Sequence, residues 1–366
     1  MTRTVTVLGA GAMGSALATP FRAAGWEVNL WGTWLDDHLL EACRNDQPHP
    51  RTGVRLAKGT RLFNSGQLLD ALADAELVAV AIASVGVLEV VRRALPGLGE
   101  ARVLLLASKG FSPDAEGRVR LFPDALRSLA AEHGRKLPPI VAIGGPCKAN
   151  EVAAGRWTAA IFGCADQSVA KEAASSVATR AYRAASTDDE PGVEVCAPMK
   201  NVYALGLGLA DGLEERAHLE ERAGEPFHDF KAAVFAQAVS EMVTLCGLVG
   251  GRAETAVGLA GVGDLEVTGL SGRNKLYGAR IGRGEAAPDA LAAMTAAEQT
   301  VEGVPAAHLS RDLVNQRDRA AWSSLPLLTA ILETLDGHPD PPGIVADAVL
   351  PNAAAAPSGG QLAAIS

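Results

Sequence analysis

The chain lacks the marks of several protein classes. Its five cysteines, Cys43, Cys147, Cys164, Cys196 and Cys246, are odd in number and form no CxxC pair. That argues against a disulfide scaffold and against a zinc ribbon. Seven histidines occur without HExxH or any other ligand spacing, so no metal site is expected. A basic field is also missing: 33 Lys and Arg stand against 42 Asp and Glu, for a net charge of −9. Nucleic acid is therefore a poor partner. The sequence pI of about 5.4 still leaves room for a phosphorylated ligand, which needs only a local basic pocket. Long hydrophobic runs are scarce. The longest, Leu77 to Val91, is interrupted by Ser84, Gly86 and Glu89 and is too short to span a bilayer. The first residues enter an apolar run without a basic segment or a small-residue cleavage site, which predicts a cytoplasmic protein.

What is present is a two-part pattern. A length of 366 residues suggests two cores. The first half alternates short β-branched runs with helical periodicity. Strands are predicted at Thr4–Leu8, Glu27–Trp31, Leu77–Ile82, Val103–Ala107, Ile140–Ile143, Ala159–Phe162 and Ala181–Arg183. A helix is predicted over Met13–Ala24, stopped by Gly25. A second carries Val87, Leu88, Val91 and Leu95 on one face. Strands alternating with helices imply a mostly parallel α/β sheet. Past Gly192 only helices are legible, at Val193–Leu209, Asp229–Leu248, Asp289–Met294 and Pro305–Asn315. The polar, turn-prone stretch Ser186–Gly192 marks the boundary. The expected fold is thus an N-terminal Rossmann-type domain over 1–190 and an all-α domain over 191–350, with a flexible tail over 351–366. The charged patch Glu214–Glu225 reads as a solvated loop or helix extension.

The glycines carry the first functional signal. Gly9-Ala10-Gly11-Ala12-Met13-Gly14 is a GxGxxG run that follows a strand and opens a helix, the context a dinucleotide fingerprint requires. Gly9 permits the tight turn, Gly11 admits a pyrophosphate, and Gly14 allows close helix–strand packing. Phosphates would meet the free N–H groups and positive end of the helix. The coenzyme is expected to be NAD or NADP. Gly32 and Thr33 end the second strand with neither an acid nor an Arg, and the absent Arg tilts the reading towards NAD. Asp36 and Asp37 come later and read as caps of the next helix.

Three further segments narrow the chemistry. Ala107-Ser108-Lys109-Gly110 ends a strand, where ligands sit in open α/β sheets. Lys200-Asn201 lies in an otherwise apolar helix. Gly261-Val262-Gly263-Asp264 leads through Thr268 to Gly272-Arg273-Asn274, joining carboxylate, hydroxyl, guanidinium and amide. With Gly144-Gly145-Pro146-Cys147, these segments resemble the NAD(P)-dependent sn-glycerol-3-phosphate dehydrogenases, from about Val5 to Val304. The resemblance implies reversible hydride transfer between NAD(P)H and C2 of dihydroxyacetone phosphate, and a homodimer joined through the helical half.

By position, the resemblance makes Lys200 the general acid/base and places Lys109 against the reacting carbonyl, with Asp264 and Thr268 around that centre. Arg273 and Asn274 become the phosphate pair, with Asn201, Gly145 and Cys147 lining the substrate. Ala12, Met13, Ala149, Lys109, Arg273 and Glu302 fall on the cofactor side with Gly9, Gly11 and Gly14. The chemistry is sound on its own terms. A ketone reduced to an alkoxide needs a proton, and a lysine whose pKa is lowered towards neutrality can supply it. A second lysine nearby lowers that pKa and steadies the oxyanion.

The sequence departs from the family at its substrate rim. Cys147 replaces a usual Ser or Thr and Lys148 a usual apolar residue. Gly272 stands where Ser is common, Asp229 near a usual Asn, and the Asp264–Asn274 segment is short. These changes admit a larger ketose or sugar phosphate as the alternative substrate. A thiol beside Lys148 suggests redox sensitivity, against the plainer reading of a small pocket-lining residue. Competing classes are another two-domain dehydrogenase, acting on 3-hydroxyacids or 3-hydroxyacyl-CoA, and a dinucleotide sensor without turnover. The Lys200-Asn201 and Arg273-Asn274 pairs oppose the first. The retained Lys109 and Lys200 oppose the second.

Overall fold

The computed structural model describes residues 3–219 and 226–351. Among the described residues ten strands form: β1 (Thr4–Leu8), β2 (Glu27–Trp31), β3 (Arg61–Phe63), β4 (Ala75–Val80), β5 (Val103–Leu106), β6 (Phe111–Pro113), β7 (Val119–Leu121), β8 (Ile140–Gly144), β9 (Thr158–Gly163) and β10 (Tyr182–Thr187). Eight of them build one sheet in the order β10-β9-β8-β5-β4-β1-β2-β3. Only β8 and β9 pair antiparallel within it. The run β3-β2-β1-β4-β5-β8 is the dinucleotide-binding order, and its direction reverses between β1 and β4. Strands buried on both faces explain the continuous apolar runs, such as Val103–Leu106, that made them visible. Three strands escaped the sequence reading. β3 and the β6–β7 hairpin are three residues each, too short to set a period.

Helix α1 (Ala12–Ala23) follows β1, and α2 (Asp37–Arg44) follows β2. The stretch 186–192 is tighter than a polar turn: Ser186 and Thr187 finish β10, and Glu190 already opens α3 (Glu190–Leu219). This 30-residue helix is the spine of the second half. Around it lie α4 (His228–Leu248), α5 (Asp264–Leu270), α6 (Arg273–Gly282), α7 (Gly303–Arg317) and α8 (Pro326–Leu335). The charged patch therefore begins as a helix extension, to Leu219. Its remainder, 220–225, and the tail beyond Pro351 lie outside the described residues. Helix α4 has the length and apolar content of a membrane span, yet Val234, Ala238, Met242 and Leu245 bury in the helical core and Glu241 buries with them.

Glycine sets the closest helix pair. A Cβ on Gly208 or Gly212 of α3 would collide with the backbone carbonyls of Lys275 and Ala279, and one on Gly278 or Gly282 of α6 with those of Leu205 and Leu209. Two GxxxG faces thus let α3 and α6 touch backbone to backbone. The contact brings Arg273 and Asn274, at the start of α6, beside the middle of α3, where Lys200 and Asn201 lie.

Candidate active site

A cleft of about 1090 Å³ lies between the C-terminal edge of the sheet and the helical half. Gly11, Ala12 and Met13 line it, with Lys109, Cys147, Ala149, Lys200, Asn201, Arg273 and Glu302. The three fingerprint glycines divide by role. Gly9 has φ +107°, and a Cβ there would come within 2.6 Å of the Ala81 carbonyl. A Cβ on Gly14 would collide with the Gly9 carbonyl. Both are required by the chain's own packing, and neither lines the cleft. Gly11 differs: among the described residues, its chain neighbours and own helix aside, the one atom within 4 Å of where its Cβ would lie is Arg51 Nη1, at 3.8 Å. The protein leaves that side free for a ligand, and the unbonded N–H groups of the first turn of α1 lie beside it. The residues present thus fit a dinucleotide.

Asp36 has a different task from the capping expected of it. It sits at the N-cap of α2, but its side chain does not bond that helix. Buried instead, its Oδ2 accepts from Thr33 N at 2.9 Å, Thr33 Oγ1 at 2.9 Å and Ala10 N at 3.2 Å, tying β2 to the glycine loop. Asp37 stays exposed in the first turn.

Lys109 follows β5, and Ser108 holds it in place. The Ser108 hydroxyl donates to the Ile82 carbonyl at 2.7 Å and accepts from Ile82 N at 2.9 Å, joining the ends of β4 and β5. Lys200 comes from mid-α3 and Asp264 from the start of α5. The three meet beneath the cleft. Lys109 Nζ donates to Asp264 Oδ2 at 2.8 Å, and Lys200 Nζ donates to Asp264 Oδ1. Asp264 is 0% exposed and Lys200 8%. Burial pushes the Lys200 ammonium down to about 8; neighbouring Lys109 adds to that effect and Asp264 opposes it. Burial also works against charge on Lys109, but there the Asp264 carboxylate wins and raises its pKa. One lysine is thus tuned to exchange its proton near neutrality, and the other is held cationic.

The other expected residues fall into three groups. Arg273 is exposed on the cleft wall and makes no ion pair among the described residues. Asn201 and Glu302 line the cleft as well. Asn274 is buried, and its Oδ1 accepts from Gly303 N at 2.9 Å, so it fastens α6 to α7. Two residues lie behind the wall. Gly145, at φ +104°, backs onto the Ala159 carbonyl. Thr268 sits one turn past Asp264 and spends its hydroxyl on the Asp264 backbone carbonyl at 2.6 Å. Cys147 lines the cleft, but burial outweighs the two nearby lysines and pushes its thiol up to about 11. That removes the basis for a reactive thiolate. Lys148 does not pair with it; its Nζ crosses the cleft wall to donate to Ser271 Oγ at 2.6 Å.

Sequence reasoning missed Arg51, Ser271, Gln299 and Thr300, which also line the cleft. Gln299 has a buried Oε1 without a partner, and Glu298 before it holds φ +55°. No spacing rule marks these residues, since they reach the cleft from loops.

Comparison with known proteins agrees with this geometry. Residues 4–170 match the family profile described as NAD-dependent glycerol-3-phosphate dehydrogenase N-terminus, and residues 189–346 match the corresponding C-terminus. The NADP(+)-dependent glycerol-3-phosphate dehydrogenase of Archaeoglobus fulgidus is 35% identical over 78% of this chain and 82% of its own. The glycerol-3-phosphate dehydrogenase [NAD(P)+] of Symbiobacterium thermophilum is 34% identical over 90% and 89%. The solved glycerol-3-phosphate dehydrogenase of Coxiella burnetii superposes with a TM-score of 0.78 at 26% identity, covering 94% of this chain and 98% of that one. With both halves matched in order, the chain belongs to the NAD-dependent glycerol-3-phosphate dehydrogenase family of oxidoreductases.

Proposed function

We propose that this chain catalyses reversible hydride transfer between NAD(P)H and the C2 carbonyl of dihydroxyacetone phosphate, giving sn-glycerol 3-phosphate. The observation that carries the reading is the grip of Lys109 and Lys200 on buried Asp264 beneath a cleft floored by the glycine loop. When bound, the nicotinamide supplies or receives the hydride. Gly11, Ala12 and Met13 would hold the dinucleotide's phosphates, and Ala149 and Glu302 would border it.

The chain's own residues account for the rest. Lys200 holds the proton that the developing alkoxide needs, and its lowered pKa lets it both give and retake that proton. Lys109 presents a fixed positive charge to the same oxygen. Asp264 positions both ammonium groups and prevents them from driving each other apart. Arg273 has the fork geometry and the free guanidinium that suit a phosphate dianion. Asn274 keeps Arg273 in register through its bond to Gly303.

Further parts of this reading concern the whole molecule. The chain divides near residue 190, where strands give way to helices. It works as a homodimer joined through the helical half, where Val257 and Leu259 leave apolar side chains exposed. It acts in the cytoplasm, in keeping with five free cysteines. The test is NADH and NADPH oxidation by purified protein with dihydroxyacetone phosphate, beside four- and five-carbon ketose phosphates. Preferred turnover of the three-carbon ketone supports the reading. Strong preference for a longer ketose phosphate would replace it with the same chemistry on a larger substrate.

A further inference from the structure

We infer that Lys148 gauges substrate length: by tying Ser271 to the dinucleotide half of the cleft, it fixes the reach from the reacting lysines to the Arg273 guanidinium. The inference rests on the proposed function, with Arg273 as the phosphate residue, and extends it to substrate choice. Lys148 is a positioning residue. It acts through Ser271 and touches no reacting atom.

The segment that carries Arg273 into the cleft is lightly held. Leu270, Ser271 and Gly272 join α5 to α6 and line the cleft beside Arg273. Leu270 is 64% exposed. Gly272 has φ +145°, and a Cβ there would meet nothing nearer than the Thr268 carbonyl at 3.8 Å. No side chain caps α6 at Gly272. Among the described residues this segment takes part in two side-chain hydrogen bonds. Lys275 Nζ donates to the Leu270 carbonyl at 3.1 Å, from within the helical half. Lys148 Nζ donates to Ser271 Oγ at 2.6 Å, from the sheet half, 123 positions away in the chain.

Lys148 itself is firmly seated. It is the N-cap of the short helix Ala149–Ala153, between Cys147 and Ala149, which both line the cleft. The Ala153 carbonyl accepts from Thr19 Oγ1 at 3.0 Å. Thr19 belongs to α1, the helix that follows the glycine turn. The base of Lys148 is thus fastened to the element that would receive the dinucleotide. Its ammonium pairs with no carboxylate among the described residues, and the Ser271 hydroxyl is its one side-chain acceptor there. A charged donor makes that bond stronger than one between neutral groups. The apolar residue usual at this position in the family has no donor with which to hold Ser271.

A phosphorylated ketone would be gripped at two points, its carbonyl by the lysines and its phosphate by Arg273. The separation of the two grips selects chain length, because a substrate of the wrong reach loses one of them. Lys109 and the base of Lys148 both belong to the sheet half. Arg273 is tied back to that half through Ser271. The tie keeps the flexible segment from moving outward to admit a longer ketose phosphate.

The test compares full-length wild type with Lys148→Met, Lys148→Arg, Ser271→Ala and the double variant Lys148→Met with Ser271→Ala. Initial rates at saturating coenzyme give KM and kcat for dihydroxyacetone phosphate and for a four-carbon ketose phosphate. Lys148→Met should raise KM for the three-carbon substrate about ten-fold, as loss of one charge-assisted contact allows, with the change falling on KM rather than kcat. The preference for three carbons over four should shrink with it. Ser271→Ala should reproduce the change, and the double variant should lose no more than either single one. Lys148→Arg keeps a long cationic donor and should restore most of the preference. Amide hydrogen exchange over residues 268–276 should quicken in Lys148→Met without any substrate present. A raised KM in Lys148→Met beside an unchanged Ser271→Ala would mean that the ammonium meets the phosphate itself, and would overturn the inference. Unchanged chain-length preference in both single variants of an active enzyme would overturn the gauge alone and leave the proposed function standing. A wild type that turns over neither ketose phosphate would remove the proposed function, and the gauge with it.

Discussion

Asp264 and Glu241 are both buried carboxylates of the helical half, each 0% exposed, yet they are satisfied in different ways. Glu241 on α4 accepts from neutral donors only: Tyr203 Oη at 3.0 Å, Gln237 Nε2 at 2.9 Å, and the Leu327 and Leu328 amides at 2.6 and 2.9 Å. Those amides open α8, so Glu241 closes a helix N-terminus and joins α3, α4 and α8 around it. Asp264 accepts from two lysines at the floor of a cleft. Burial raises the pKa of Glu241 against its four donors. Around Asp264, burial acts instead on a partner and brings Lys200 down to about 8. A carboxylate held by amides and a hydroxyl locks helices together. One held by lysines beside a cleft stands next to an ammonium whose proton is loosened by burial.

Three experiments would break or sharpen that contrast. The largest effect is expected at the lysines. Lys200→Ala should cut turnover about 10²- to 10⁴-fold, the usual contribution of a general acid, while coenzyme titration and melting temperature stay near wild type. Retained turnover would take the proton away from Lys200. The second concerns Glu241. Glu241→Ala strands two buried amides and a phenol, and should cost about 3 kcal/mol or more in chemical denaturation. Activity per folded molecule should hold. A variant that is stable but inactive would erase the distinction between the two carboxylates.

The smallest effect is the pH response. In the proposed reaction ketone reduction uses protonated Lys200, so its kcat/KM should be level below about 8 and fall towards ten-fold per pH unit above it. Alcohol oxidation needs the free amine and should rise with pH to a plateau above the same point. A reduction profile that stays flat to the ordinary lysine range would show that Lys200 is not the titrating group.

Legibility in the sequence followed element length and contiguity. The strands buried on both faces were plain, because each is a run of apolar residues bounded by turns, and β1 and β2 fall where they were read. The three-residue strands carried no period. Helices α5 and α6 were hidden by their glycines, which lower helix propensity but serve the contact with α3. Asp36 was misjudged because spacing gives its distance along the chain and not the direction of its side chain. The thiol of Cys147 was weighed against its neighbour Lys148, whereas its environment is set by burial and by Lys109 and Lys200.

The sequence by itself determined the longer strands and helices, the glycine turn after β1 and the two lysines singled out as candidates, because these depend on residues adjacent along the chain. It contained the lysines and the aspartate but not their meeting. Lys109 and Asp264 are 155 positions apart and Lys200 and Asp264 are 64, and each pair touches only once the sheet and the helical half are packed. The tertiary structure alone decided which lysine loses affinity for its proton, since that depends on how deeply each ammonium is buried and on the charges around it. It alone placed Arg51 over Gly11 as well, because a loop that reaches the cleft from beyond α2 leaves no periodic trace in the chain.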